Sequence, residues 1–316
     1  MEIIKLNRPT SENRGTAIAL GYFDGLHLGH QTIISKVVAH GKRERLQSAV
    51  MTFSTNPKVF LKKIEDNGLL TPMKEKIEIL KKLGVDQLLV LPFDEEMAQM
   101  DPIDFIQSYL IDQNVRYVAT GPDFCFGNRG RGNSELLKQY EEWFALNVTP
   151  KMKCNDKKIG TTEIKAFLEA GDVGSAAKML GRPYALSGIV VKGNQKGRTI
   201  GFPTANVSIC EPFMLPRPGV YAVEVIRGHK RHHGMCNIGH NPTFNFTGCL
   251  SVEANLFDFD EDIYGEELRL EFIKYLRSEK KFSGIEELTE QLARDRRQAR
   301  LIFERPKPLL SQQAKA

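Results

Sequence analysis

The hydrophobic pattern of the chain changes character near residue 183. Before it, short apolar runs alternate with amphipathic stretches. Thr16-Ala-Ile-Ala-Leu20, Gln47-Ser-Ala-Val-Met-Thr-Phe53, Gln87-Leu-Leu-Val-Leu-Pro-Phe93 and Arg116-Tyr-Val-Ala-Thr-Gly121 read as strands. Thr71 is placed to cap a helix whose first turn accepts Pro72, because the N–H that proline lacks is not needed there. Ile77, Leu80 and Leu83 give that helix an apolar stripe and Gly84 ends it; Asp101-Pro102 opens another helix. Strands separated by amphipathic helices predict a parallel α/β sheet. After Gly181-Arg-Pro-Tyr184 the pattern turns strand-like, over 186–192, 219–226, 234–238, 251–257 and 267–275, with Gly, Pro and Asn in the gaps. This spacing predicts a small antiparallel barrel. A closing helix is expected over 286–303, with Leu288, Leu292, Ala299 and Leu301 or Ile302 available to dock. The expected domains are residues 1–182 and 183–305, with 306–316 as a frayed tail.

Composition adds exclusions. The 316 residues are 41% hydrophobic and 26% charged, enough apolar surface for packed cores and too much for a disordered chain. Apolar runs such as residues 87–93 fall far short of the ~20 residues of a spanning helix, so no membrane partner is expected. The net charge of +5 is concentrated: residues 277–316 hold ten Lys and Arg against six Asp and Glu, and the rest is almost neutral. No broad basic face is visible, and no nucleic-acid partner is expected. The N-terminus lacks the basic-then-apolar pattern of a signal peptide. The five cysteines (125, 154, 210, 236 and 249) are odd in number and form no C-x-x-C, which argues against a disulfide framework or zinc ribbon and for a reducing cytoplasm.

Two constellations carry candidate chemistry. Gly21-Tyr-Phe-Asp-Gly-Leu-His-Leu-Gly-His30 follows the first buried strand directly. Its glycines allow close backbone approach to a ligand. His27 and His30 stand at a helix start, where free N–H groups and the dipole favour anions and imidazoles can hold phosphate oxygens. The same pair also fits a structural turn, or a metal pair with no third ligand nearby. In the second constellation, Gly193, Gly197 and Gly201 make a loop able to wrap a phosphate, without the Walker spacing. Thr204 and Asn206, two apart in an extended segment, present oxygens on one side that suit Mg²⁺. Pro203-Thr-Ala-Asn206 alone also fits a hairpin with a polar face. His229, His232 and His233 could invite a metal, but read as an exposed hairpin turn without a catalytic role.

Residues 21–30 resemble the H-x-G-H nucleotidyltransferase signature in the form seen in bacterial bifunctional riboflavin kinase/FAD synthetases. Gly121-Pro-Asp-Phe-Cys-Phe-Gly127 resembles that family's G-x-D-F-x-F-G segment. Gly197-Arg-Thr-Ile-Gly-Phe-Pro-Thr-Ala-Asn206 is nearly identical to the riboflavin kinase signature, and segments at 219–223, 236–239, 241–244, 251–253, 257–260, 264–265 and 276–282 follow in order. The resemblance implies an α/β nucleotidyltransferase domain with a Rossmann-like parallel sheet, then a small antiparallel β-barrel riboflavin kinase domain with a C-terminal helix. It implies riboflavin, FMN and ATP as substrates, Mg²⁺ as cofactor, and FMN and FAD as products.

The implied roles fall on matching positions. His27 and His30 would bind ATP phosphates and stabilise adenylyl transfer, within a nucleotide-binding turn that includes Gly21, Phe23, Asp24, Gly25 and Gly29. Asp123 and Phe124 would lie near flavin or nucleotide. In the kinase half, Gly193, Gly197, Arg198 and Gly201 would hold the nucleotide, and Thr204 and Asn206 the Mg²⁺. Glu253 would take the proton of the riboflavin 5′-hydroxyl, and Arg277 and Phe282 would contact flavin. Glu253 also fits a solvent-facing strand residue, and Arg277 a surface ion pair.

The chain departs from the family in two segments. Where the family has I-S-S-T/S-x-I-R, this sequence has Ile159-Gly-Thr-Thr-Glu-Ile-Lys165. Thr161, Thr162 and Lys165 keep hydroxyls and a charge at the expected phosphate site, but Lys165 lacks the bidentate fork of arginine. In Thr52-Phe-Ser-Thr-Asn-Pro57, Asn56 stands at the usual histidine of the flavin site. These departures motivate an alternative, a riboflavin kinase whose N-terminal domain serves structure or regulation. Two further readings are a nucleic-acid-binding regulator using the basic C-terminal stretch, and an H-x-G-H enzyme with another acceptor such as a lipid head group or pantetheine. The intact kinase segment argues against the last. The sequence does not give an oligomeric state.

Overall fold

The computed structural model describes residues 1–5, 15–154, 156–193, 197, 200–240 and 250–304. Arg198, residues 241–244, Cys249 and the expected tail 306–316 lie outside the described residues. Two compact units result: Met1–Asn67 with Thr71–Gly160, and Gly68–Leu70 with the chain from Thr161 onward.

The first unit is built on β1 (Glu2–Lys5), β2 (Thr16–Leu20), β3 (Gln47–Phe53), β4 (Gln87–Leu91), β5 (Val115–Thr120) and β6 (Ala145–Val148). They form one parallel sheet in the order β1-β4-β3-β2-β5-β6. Every residue of β2 is buried, as befits a central strand covered on both faces. Its pleat divides the core. Ala17 and Ala19 join Ile33, Ile34, Val37 and Val38 of helix α1 (Leu28–Glu44), while Ile18 and Leu20 join Phe105, Ile106 and Leu110 on the other face. Helix α2 (Pro57–Phe60) is a single turn, and α3 (Met73–Lys82) covers the α1 side of the sheet. A two-strand hairpin, β7 (Lys153–Cys154) with β8 (Lys157–Lys158), ends this unit.

The α3 expectation needs two corrections. Pro72 occupies the cap position, with no side-chain cap bond, and the Thr71 N–H donates instead to Asp24 Oδ1 at 3.0 Å. The buried face of α3 runs through Lys76, Ile79 and Leu80, with Ile77 and Leu83 only partly covered. Gly84 follows at φ +79°, the left-handed stop that its position led one to expect.

In the second unit, helices Thr161–Glu169 and Val173–Leu180 precede a closed barrel. Its strands are β9 (Tyr184–Val191), β10 (Ala205–Ser208), β11 (Gly219–Arg227), β12 (Lys230–His240), β13 (Leu250–Leu256) and β14 (Glu267–Arg277), all paired antiparallel in the order β10-β13-β12-β11-β14-β9. Helix Val173–Leu180 packs on β9 and β14, and the Leu168 carbonyl accepts from Arg217 N at 2.9 Å. The packing boundary thus follows Gly160, whereas the chain turns from helix to strand at residue 183.

The closing helix, Ile285–Glu304, seats Ala299, Leu292 and Ile302 on Val220, Ala222, Met235 and Phe257 of the barrel wall. Of the two expected docking residues, Ile302 docks and Leu301 is 58% exposed, because one residue is a 100° turn around the helix. His229 does lie in a turn. His232 and His233, expected there too, lie on β12, where they meet Phe259 edge-on at 5.1 Å and stack on Phe303 at 4.0 Å.

Asp295, 1% exposed, fixes the helix register: it accepts from Arg277 Nε and Nη2 at 3.0 and 2.7 Å and from Gln291 Nε2 at 2.9 Å. Removing one partner of a buried pair strands the other charge. Asp295→Ala is therefore expected to destabilise the second unit by about 3 kcal/mol, measured by chemical denaturation of the full chain; a loss below about 0.5 kcal/mol would place this pair with ordinary surface bridges.

Candidate active sites

β2 and β5 are neighbours at the centre of the parallel sheet, and from them the chain builds outward in opposite directions. Such a reversal opens a crevice outside the carboxyl ends of the two strands, the usual ligand site of an open α/β sheet. Residues 21–30 leave the end of β2 and residues 121–127 leave the end of β5, so the topology brings both motifs to that crevice.

The turn after β2 is tightly constrained. Phe23 (φ 56°) and Leu26 (φ 40°) adopt the left-handed region although neither is glycine, at a cost of about 1–3 kcal/mol each. Both are buried, at 2% and 0% exposure, which supports that conformation. Gly21 leaves room for the Phe23 ring, since a Cβ there would lie 3.0 Å from it. His27 caps α1: its Nδ1 accepts from the His30 N–H at 3.3 Å, so its ring proton resides on Nε2. The His27 and His30 rings stack at 3.6 Å, and Phe23 meets His30 edge-on at 5.2 Å. No acidic residue occupies the first turn of α1, which leaves its positive end for an anion. Gly25, at φ 85°, and Gly29, close to the His27 ring, complete the turn.

The other residues expected at the adenylyltransferase site lie outside this turn. Asn56 caps α2, its Oδ1 accepting from Lys58 N at 3.0 Å. Nearby, the Phe53 and Phe60 rings flank Phe93 at 5.1 and 5.5 Å. The exposed Asp123 carboxylate pairs with Lys151 at 2.7 Å and Lys158 at 3.3 Å; the hydrogen bond from Lys151 is the main cause holding it below the usual carboxylate range. Phe124 packs partly buried beside Phe126. Thr161 and Thr162 begin the first helix of the second unit, where Lys165 Nζ donates to the Gly68 carbonyl at 2.6 Å.

In the barrel, Asn206 on β10 lies directly opposite Glu253 on β13, which lies opposite Asn237 on β12. Directly paired residues point to one face, so three polar side chains align across three strands. Gly193 and Gly197 lie close against the segment that carries Thr204 and Asn206. A Cβ on Gly193 would overlap the Asn206 carboxamide, and one on Gly197 would strike the Phe202 carbonyl and come within 3.4 Å of Thr204 Oγ1. Only glycine permits that approach. Gly201 takes φ +76° at the far side of the loop. Burial pushes the Glu253 carboxyl above its ordinary range. Arg277 is engaged with Asp295, with its guanidinium 5.8 Å from the Phe282 ring.

Three supporting residues were not foreseen from sequence. Asn255, buried on β13, donates through Nδ2 to the Pro203 carbonyl at 2.6 Å and so pins the P-T-A-N segment. Lys76 and Thr52 do the same for the first site: both donate to the Tyr22 carbonyl, at 2.7 and 2.8 Å. The one available signal is that Asn255 interrupts an apolar strand.

The raised Glu253 carboxyl has a sign that can be tested. The folded state binds its proton more tightly than the unfolded state, so ionisation destabilises the fold as pH rises through the unfolded value of about 4.3. Glu253→Gln is expected to raise Tm at pH 7, a gain that shrinks as pH is lowered toward 4; a lowered Tm at pH 7 would contradict the burial effect.

Known proteins resemble the chain over both units. A family model described as FAD synthetase matches residues 9–163, and one described as riboflavin kinase matches residues 180–303. A bifunctional riboflavin kinase/FMN adenylyltransferase of Bacillus subtilis is 39% identical, covering 96% of this chain and 98% of its own length. One from Listeria monocytogenes is 37% identical over the same shares. A solved structure from Streptococcus pneumoniae described as a macrolide-efflux protein superimposes with a TM-score of 0.87 at 31% identity, covering 95% of this chain and 99% of that one. Among the described residues of this chain, no helix is long and apolar enough to cross a membrane.

Proposed function

Because the chain belongs to the family of bifunctional riboflavin kinases/FMN adenylyltransferases, we infer that it catalyses both reactions: phosphorylation of riboflavin to FMN by ATP, and adenylylation of FMN to FAD with release of pyrophosphate. The observation that supports this reading is that each unit holds a closely constrained glycine-containing segment, one leading into the His27–His30 stack and one in which Gly193 and Gly197 press against Asn206 and Thr204. A kinase-only reading is not favoured. The family match extends over the first unit, and the turn after β2 keeps a strained, fully supported geometry that a retired site would have no reason to hold.

In the kinase step, the riboflavin 5′-hydroxyl oxygen attacks the γ-phosphorus of ATP. Its proton passes to Glu253 as the new O–P bond forms and ADP leaves. The raised Glu253 carboxyl suits a base, since a stronger base takes the proton more readily. The Thr204 and Asn206 oxygens fit a hard cation, and the glycine approach over them supplies a cradle that any Cβ would fill. Mg²⁺ held there would neutralise charge on the transferring phosphates. In the adenylyl step, a phosphate oxygen of FMN attacks the α-phosphorus of ATP and pyrophosphate leaves. The attacking oxygen is already ionised, so no base is required. His27, with its proton on Nε2, and His30 serve as donors to the charge that develops. FMN is thus the product of one site and the substrate of the other. The proposed site for both reactions is the cytoplasm, supported by unpaired Cys125, Cys154, Cys210 and Cys236.

Incubating the purified chain with FMN and MgATP tests the adenylyl step, and FAD with matching pyrophosphate is expected. His27→Ala and His30→Ala should each lower FAD formation about 10²–10³-fold while FMN formation stays within about twofold. No FAD from the parent chain would leave the kinase reading alone. Glu253→Gln should abolish FMN formation with riboflavin binding retained. The parent's kinase rate should fall on its acid side at a pH above that of an ordinary glutamate, because Glu253 must be ionised to act.

A further inference from the structure

The buried face of α3 carries a lysine where the hydrophobic pattern calls for an apolar residue. Lys76 is 3% exposed, and its ammonium lies beneath the turn that leads to the histidine pair. Nζ donates to the Tyr22 carbonyl at 2.7 Å and to Thr52 Oγ1 at 3.2 Å, and it lies 4.7 Å from the centre of the Tyr22 ring. Thr52 Oγ1 donates in turn to the same Tyr22 carbonyl at 2.8 Å. Burial pushes the lysine down to about 8, with the Asp24 carboxylate opposing that shift, so at neutral pH the group is mostly the charged ammonium. Burying an ammonium is costly, and a Leu or Met here would serve the core better. Its retention calls for a task that an apolar side chain could not perform.

The contacts above the lysine indicate that task. Tyr22 is followed by Phe23, a left-handed residue whose ring meets His30 edge-on at 5.2 Å, and His30 stacks on His27 at 3.6 Å. The orientation of the Tyr22 peptide therefore sets where the Phe23 ring stands, and that ring forms one wall of the histidine stack. A neutral donor would hold the carbonyl less firmly than an ammonium, since charge-assisted hydrogen bonds are roughly twice as strong.

We propose that Lys76 is a positioning residue for adenylyl transfer: with Thr52, it locks the Tyr22 carbonyl so that Phe23 holds His30 and His27 in the orientation that the transferring phosphate requires. This rests on reading the first unit as the FMN adenylyltransferase. Lys76 touches no reacting atom and acts through the histidine pair.

The test uses the full chain, whose kinase half reports on folding in the same sample. Lys76→Met is expected to lower kcat for FAD formation about 30–300-fold while changing KM for MgATP less than about threefold, with the kinase rate unaffected. Thr52→Val cuts the same anchor from the β3 side and should lower kcat about tenfold, deciding the matter should the first unit of Lys76→Met fail to fold. Residues that act as one device are not additive, so in a His30→Ala background Lys76→Met should cost less than about threefold further. Undiminished kcat in both anchor variants, or an equal fold-loss with and without His30, overturns the proposal and leaves the adenylyltransferase reading intact. A parent chain that makes no FAD overturns both.

Discussion

Phosphate groups are gripped by backbone turns, and a turn that exposes its N–H groups to a ligand has little core of its own to hold its shape. Both sites in this chain meet that constraint in the same way. A buried polar side chain on a rigid element reaches into the loop and fixes one carbonyl. In the parallel sheet, Lys76 on α3 and Thr52 on β3 fix Tyr22; in the barrel, Asn255 on β13 fixes Pro203. The residues proposed to face the ligand then follow from the fixed point. Phe23 and the histidine stack follow Tyr22, and Thr204 and Asn206 follow Pro203. The loops can remain glycine-rich and closely fitted because their anchors lie outside them.

This division explains what was legible in the sequence. The candidate site residues form compact strings in the sequence, 21–30 and 197–206, and their neighbourhood could be inferred because a strand or helix start sits beside each. The parallel sheet and the barrel were legible for a related reason: β2, β3, β4 and β11 are apolar over most of their length, so burial is written into composition. The anchors were not legible. Lys76 lies in Met-Lys-Glu-Lys-Ile-Glu, where a lysine reads as solvated surface, and only the packing of α3 turns it inward. β1 and β6 also escaped notice, because an edge strand of four residues with mixed burial has no pattern distinct from a loop. β10 was legible only as an extended segment around Asn206, because it is short and carries Asn206 and Ser208 among its four residues.

The departures from the family pattern acquire physical content. Asn56 is a helix cap, a role asparagine fills well, and its side-chain oxygen is thereby committed to the Lys58 N–H. Lys165 sends its ammonium to the Gly68 carbonyl, a point contact that needs no guanidinium fork. Arg277 holds the end of β14 to the closing helix through Asp295, so a residue expected at the flavin or in a surface ion pair secures the wall on which that helix rests. Asn56 and Lys165 do structural work at positions where the sequence alone suggested ligand contact.

The order of the parallel sheet has a consequence for how the chain is made. β1 precedes β2 and β3 in the chain, yet its partner in the sheet is β4, with Glu2 opposite Gln87. Until β4 has emerged, residues 2–5 have no strand to pair with, while β2 and β3 need only the shorter α1 crossover between them. Contacts distant in sequence form late because the intervening chain must first be closed into a loop. The N-terminal strand is therefore a finishing piece, added to a sheet nucleated around β2 and β3, the strands whose ends carry the histidine turn and its Thr52 anchor.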